Sequence, residues 1–170
     1  EDREVAELYG VVGSPSGYLI DPNGLTASTL IVGTDALVDA ATSLDLAAVQ
    51  TIAAASTARR PCLMTRWNPA ATRRWEGLPS GTPVPDFDLP GLAGGRVTRA
   101  SLLGRPTLLI FSDPNCPPCD ALLPDLEHVH RTDSGLHVVV IGRGAREENE
   151  AKAEALGLTM PIALQDGWSL

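Results

Sequence analysis

Apolar positions along the chain fall into two patterned blocks with an unpatterned stretch between them. In the first block Val5, Ala6, Leu8 and Tyr9 stand among acidic residues, which predicts a short helix with its acids at the positive end and Gly10 as its stop. Val11 and Val12 then lead into Gly13-Ser14-Pro15. Gly17 to Ile20, followed by Asp21-Pro22-Asn23-Gly24, predicts a strand entering a tight turn, and Thr26 to Val32 the returning strand of a hairpin. Asp35 to Ala55 is rich in Ala and Leu and predicts one helix, or two broken near Thr42 to Asp45, with Thr34 or Asp35 as the N-cap.

The second block begins with an extended segment, Pro83 to Pro90. Thr107 to Phe111 is an unbroken apolar run, the pattern of a central strand covered on both faces. Pro117 to Arg131 places Leu122, Leu123, Leu126 and Val129 on one helical face, and His137 to Ile141 is a second buried strand. Ala145 to Leu156 reads as a charged helix stopped by Gly157, and Met160 to Leu164 as a short strand. Strands alternating with helices make this an α/β chain. Between the blocks, residues 57–82 hold Arg59, Arg60, Arg66, Arg73 and Arg74 among Pro61, Pro69 and Pro79, which reads as a linker. Its Arg-Trp pairs at 66–67 and 74–75 could alternatively dock on an acidic surface or an anionic membrane.

At 170 residues, with 44% hydrophobic and 20% charged residues, the chain suits one ordinary folded domain. A net charge of −8 excludes a protein that lives on a phosphate backbone, so no nucleic-acid partner is expected. The longest apolar stretch, Ala36 to Ala55, carries Asp39 and Asp45, so no membrane span is expected in this chain. The sequence starts at Glu1 without Met or a signal-peptide pattern, and removal of an upstream segment is expected.

Cys116 and Cys119 form a C-x-x-C directly after the buried run and at the start of a helix. There the unpaired N–H groups and the macrodipole favour a thiolate, which makes Cys116 the attacking thiol. Cys119, one turn later and more shielded, is the resolving thiol. Pro117 and Pro118 suit a first helical turn because their missing N–H groups have no intrahelical partner there. A zinc half-site is disfavoured, because a second C-x-x-C is missing and His128 and His130 lie on different sides of their helix. No metal and no cofactor are expected. Asp113 and Asp120 flank the pair and oppose the dipole, Glu127 reads as part of a solvated face, Trp168 as a packing residue, and Cys62 as an incidental thiol.

Thr107-Leu-Leu-Ile-Phe-Ser-Asp-Pro-Asn-Cys-Pro-Pro-Cys-Asp-Ala-Leu-Leu-Pro124 resembles the active-site strand, C-P-P-C and kinked helix of TlpA-like thioredoxin-fold thiol–disulfide oxidoreductases. Thr82 to Pro90 resembles the entry segment of the redoxin group, and Tyr9 to Asp21 its cis-proline segment. The resemblance implies a thioredoxin-like three-layer sandwich with a mixed central sheet. It also implies a cis bond before Pro15, and client contact by Ser14, Pro15, Pro117 and Pro118. Read from the residues alone, Ser14-Pro15 favours a plain trans turn, because cis bonds are the minority even before proline. The implied partners are a disulfide-bearing client protein and an upstream electron donor. The implied location is extracytoplasmic, with any membrane tether in a segment outside this chain.

The order of the segments departs from that family: Pro15 precedes Cys116 by about a hundred residues, whereas there the cis-proline segment follows the cysteines. The connectivity is therefore expected to be circularly permuted, with residues 1–56 as the C-terminal half of the fold, 57–82 as linker, 83–170 as the N-terminal half, and the two halves forming one domain. A permuted monomer, a domain-swapped dimer and an excised piece of a tandem array all fit, and the intramolecular form is favoured by the effective concentration a tether confers. Two other functions compete with disulfide exchange. A peroxiredoxin-like thiol peroxidase would resemble P-x-x-x-[ST]-x-x-C, but Leu109 and Asp113 occupy those places. A binding module with a structural disulfide would use the linker as its contact surface.

Overall fold

The computed structural model describes residues 5–11, 13–42, 77–132 and 135–165. Its centre is a sheet of five strands in the order β2-β1-β5-β6-β7. These are β1 (Ser16–Ile20), β2 (Ile31–Val32), β5 (Thr107–Ser112), β6 (His137–Arg143) and β7 (Ile162–Gln165), with β3 (Asp88–Pro90) and β4 (Arg96–Thr98) forming a separate ribbon. The helices are α1 (Val5–Leu8), α2 (Thr34–Thr42), α3 (Pro117–Arg131) and α4 (Arg146–Leu156), and a 3-10 turn covers Arg99–Leu102.

β5, β6 and β7 run parallel, whereas β1 lies antiparallel to β5 and pairs Ser16 with Phe111 through to Ile20 with Thr107. The sheet is mixed because strands joined by helical crossovers run parallel, while the incoming β1 approaches from the other block of the chain. Every residue of β1 and β5 is buried, as the continuous apolar run of β5 requires. Gly17 permits the contact: a Cβ there would meet the Leu109 carbonyl oxygen at 2.5 Å.

One sheet face packs Leu19, Leu108, Ile110, Val138 and Val140 against Leu37 and Ala41 of α2 and Leu122, Leu123 and Leu126 of α3, with Ala153 and Leu156 of α4 alongside. The other packs Tyr18, Ile20, Leu109, Phe111 and Val139 against Val5, Ala6 and Tyr9, with Val84, Phe87 and Leu102 closing it. A mixed sheet between two covering layers is the α/β architecture the sequence implies for a thioredoxin-like chain. Tyr18 stitches the second layer, its hydroxyl donating to the Tyr9 carbonyl at 2.6 Å and accepting from Leu78 N–H at 2.8 Å. Burial pushes this phenol up to about 12, against the lowering effect of the Leu78 bond.

Several expected boundaries move. The returning hairpin strand shrinks to Ile31–Val32, because Thr26 bridges Ile20 on one side and exchanges backbone hydrogen bonds with Thr82 and Gly81 on the other. Residues 77–82, expected to be the end of the linker, are thus docked, with Thr26 Oγ1 also donating to the Pro79 carbonyl. β4 is an addition to the expected elements. The rest of the helix expected beyond Thr42, the expected linker through residue 76 with Cys62 and its Arg-Trp pairs, and Trp168 lie outside the described residues.

Glu127 corrects another expectation. It is buried at 6% exposure, and its carboxylate accepts from Thr159 N–H at 2.8 Å, Met160 N–H at 3.1 Å and the Thr159 hydroxyl. Burial pushes this carboxyl up, but those bonds and the His130 charge outweigh it and hold the group below its ordinary value. A helical wheel places Glu127 beside Leu123 and Leu126, and the turn before β7 supplies donors that the wheel does not show.

Glu127→Ala leaves the buried Met160 N–H and the part-buried Thr159 N–H without their acceptor and is expected to cost about 2 kcal/mol, read as a lower urea midpoint at unchanged slope. An unmoved midpoint would contradict the clamp. A second expectation concerns acid. His137 is buried, its Nδ1 has no partner, and burial, then the Arg105 and His130 charges, press its imidazole down to about 4. It stays neutral when folded and takes up a proton on unfolding, so stability is complete above 6.5 and declines as pH falls toward about 4. Glu127, shifted the opposite way from burial, keeps its contribution above 4.5 and loses it only at lower pH. His137→Asn should remove the upper part of that decline in a pH series of denaturation midpoints, and an unchanged series would refute the assignment.

Candidate active site

Cys116 occupies the N-cap of α3 with extended backbone, φ −120° and ψ 100°, and its sulfur accepts from Cys119 N–H at 3.3 Å. Its carbonyl meanwhile accepts the N–H groups of Cys119 at 2.9 Å and Asp120 at 3.1 Å, which starts the helix. Pro117 and Pro118 fill the first helical turn without wasting a donor and stand exposed beside the sulfurs. His128, His130 and Arg131 sit at the negative C-terminal end, where cations are favoured. The two cysteines are disulfide-bonded with their Cα atoms 5.2 Å apart. Cys119 is fully covered, and Cys116 is 9% exposed.

The β1–β5 register carries the segment preceding β1 to the end of β5 from which the cysteine turn departs. The Ser14 carbonyl oxygen lies 3.7 Å from Cys116 Sγ, and the Ser14–Pro15 peptide bond is cis. Pro15 is buried and Ser14 half-buried. Ser16 Oγ donates to the Gly13 carbonyl at 2.6 Å, and Gly33 N–H to the Pro15 carbonyl at 3.1 Å, so the segment is held from both ends. Ser14 is thus brought to Cys116, with Pro15 next to it across the cis bond, and Pro117 and Pro118 stand between the two cysteines.

Two cations that sequence reasoning missed belong to the same neighbourhood. Arg143 Nη1 lies 3.4 Å from Asp113 Oδ2, and Lys152 Nζ lies 2.6 Å from Asp120 Oδ1 and 2.8 Å from the Asp113 carbonyl oxygen. Asp113 also accepts Asn115 N–H at 2.8 Å, which shapes the turn into the cysteines. The sequence presents the two acids alone beside the pair, since Arg143 and Lys152 follow it by a strand and a helix. Among the described residues no group of three or more His, Cys, Asp or Glu side chains is placed to hold a metal ion.

The sequence profile of the AhpC/TSA family matches residues 80–167. The methylamine utilization protein MauD of Paracoccus denitrificans is 42% identical over 71 residues, which are 41% of this chain and 35% of MauD. The thioredoxin-like protein YneN of Bacillus subtilis (strain 168) is 30% identical over 107 residues, 59% of this chain and 63% of its own length. Among solved structures, a secreted disulfide oxidoreductase of Mycobacterium tuberculosis, homologous to E. coli DsbE, aligns with a TM-score of 0.43 at 28% identity, covering 46% of this chain and 59% of that one. The chain spans about a third of the length of the MauD proteins it matches.

The difference in exposure between the two cysteines predicts an order of reaction. In a Cys62→Ser background, the reduced protein should be alkylated at Cys116 well before Cys119, as peptide mass mapping over time would record. Equal labelling rates, or Cys119 first, would contradict the geometry.

Proposed function

The chain belongs to the AhpC/TSA family, and from that premise we propose that it is a thiol–disulfide oxidoreductase acting through Cys116 and Cys119 on disulfides of client proteins. The observation that carries this reading is the Cys116–Cys119 disulfide at the N-terminus of α3, facing the Ser14 carbonyl.

In the reducing direction the Cys116 thiolate attacks one sulfur of a client disulfide. A bond forms between the two sulfurs, and the second client sulfur leaves as a thiolate. The Cys119 thiolate then attacks Cys116 Sγ and expels the first client sulfur. The client has gained two electrons and the chain has returned to its Cys116–Cys119 disulfide. An upstream electron donor of the dithiol class resets the pair by the same exchange, and the steps run backward to oxidise a client. The helix N-terminus and the Cys119 N–H stabilise negative charge on Cys116 in both directions.

The client is held, in this reading, as an extended strand along the backbone of Ser14 and Pro15, with the exposed Pro117 and Pro118 contacting it on the other side. Residues 5–42 and 77–165 work as one domain of permuted connectivity within one chain. The support is that β1 supplies the neighbour of β5, without which a five-residue strand edge would lie bare. A location outside the cytoplasm fits disulfide chemistry, with any tether supplied by a segment beyond this chain. Among the described residues no helix is long and apolar enough to cross a membrane. A peroxidase is the weaker reading: the Pro and Ser/Thr places of its motif hold Leu109, fully buried in β5, and Asp113, engaged by Arg143.

Cys119→Ser should accumulate mixed disulfides between Cys116 and client proteins on non-reducing gels, while Cys116→Ser should accumulate none. Trapping by Cys116→Ser alone would reverse the roles, and trapping by neither would refute disulfide exchange.

A further inference from the structure

Asp113 stands three residues before Cys116, and Asp120 directly follows Cys119. Two uncompensated carboxylates there would oppose a thiolate. Lys152, midway along α4, meets both segments: its Nζ lies 2.6 Å from Asp120 Oδ1 and donates to the Asp113 carbonyl at 2.8 Å. Its side chain is only 10% exposed, a burial that a lysine tolerates only when paired. It is also the single lysine among the thirteen Lys and Arg residues of the chain.

We propose that Lys152 is a positioning residue for the dithiol: its ammonium cancels the Asp120 charge beside the cysteines and ties the Asp113 turn to α4, so that Cys116 reaches its thiolate form in an acidic neighbourhood. The other charged groups around the pair are accounted for. Asp113 Oδ2 faces Arg143 from the end of β6. Glu148 on α4 accepts Ala145 N–H at 3.2 Å. Residues 13–16, the segment entering β1 whose Ser14 carbonyl lies against Cys116, carry no titratable side chain. Asp120 is therefore the acid whose compensation depends on Lys152 alone among the contacts described. The inference rests on the dithiol reading above and deepens it.

The test uses the full chain with Cys62→Ser, reduced, and follows iodoacetamide labelling of Cys116 against pH by mass spectrometry. Lys152→Gln is expected to move the midpoint up by about half a pH unit, roughly a threefold slower reaction below it. Asp120→Asn is expected to move it down by a similar amount, and the double variant to return near the parent. A Lys152→Gln profile that superimposes on the parent, or a shift that persists when Asp120 is also removed, overturns the proposal. If Lys152→Gln does not fold, the Asp120→Asn arm decides, and an unmoved midpoint there overturns it. Client trapping is scored separately. A shifted profile without trapped client supports Lys152 and refutes disulfide exchange, whereas trapping with an unshifted profile does the reverse.

Discussion

The antiparallel register between β1 and β5 is the constraint on which everything chemical depends. With Ser16 opposite Phe111, the residues just before β1 arrive where β5 hands over to the cysteine turn, and Ser14 comes to lie over Cys116. A slip of one residue would turn Tyr18 and Ile20 away from Tyr9 and Phe111 and expose them to the wrong face. The register is held by that packing and by the close approach at Gly17, which admits no side chain against the Leu109 carbonyl. Tyr18 adds two hydrogen bonds to segments on either side, so the second layer closes only in this alignment. The position of the Ser14 backbone over the sulfur is thus a consequence of core packing far more than of the loop itself.

Charge is the second theme. A chain with net charge −8 is an unfavourable setting for a thiolate, and the acids nearest the pair make it worse. The fold answers locally. The N-terminal end of α3 directs N–H groups at Cys116, and Arg143 and Lys152 engage the flanking acids from elements that pack beside the helix. Glu127 serves a different end of the same helix, where it fastens the turn before β7 and leaves the sulfurs alone. Its distance from the chemistry matters because a buried carboxylate on the cysteine helix invites a catalytic reading that its three donors already exhaust.

Much of this was legible in the sequence. The apolar run Thr107 to Phe111 and the period of Pro117 to Arg131 mark β5 and α3 because buried strands and amphipathic helices impose those patterns regardless of context. C-P-P-C at their junction carries its own chemistry. The resemblance of Tyr9 to Asp21 to a cis-proline segment brought Ser14 and Pro15 to the sulfurs, which no local rule could do. Other features depended on contacts across the chain. The returning hairpin strand is short because Thr26 pairs with residues 81–82, and nothing in Thr26 to Val32 says so. β4 is three residues long and half-exposed, too brief to show alternation. Glu127 and Lys152 look like solvated charges until the Thr159 turn and the Asp113 turn are folded against them.

Ser14 and Cys116 meet within one chain. A Ser14→Cys substitution in a Cys62→Ser, Cys119→Ser background leaves only two thiols, one on each side of that contact. Mild oxidation, followed by intact mass under denaturing, non-reducing conditions, then reports the pairing directly. Contact within one chain predicts a disulfide between the introduced thiol and Cys116 in a species of single-chain mass, formed at a rate independent of protein concentration. Product of twice that mass, formed faster at higher concentration, would show the halves exchanged between chains. An introduced thiol that stays free beside a reactive Cys116 would show that the two segments do not meet at all.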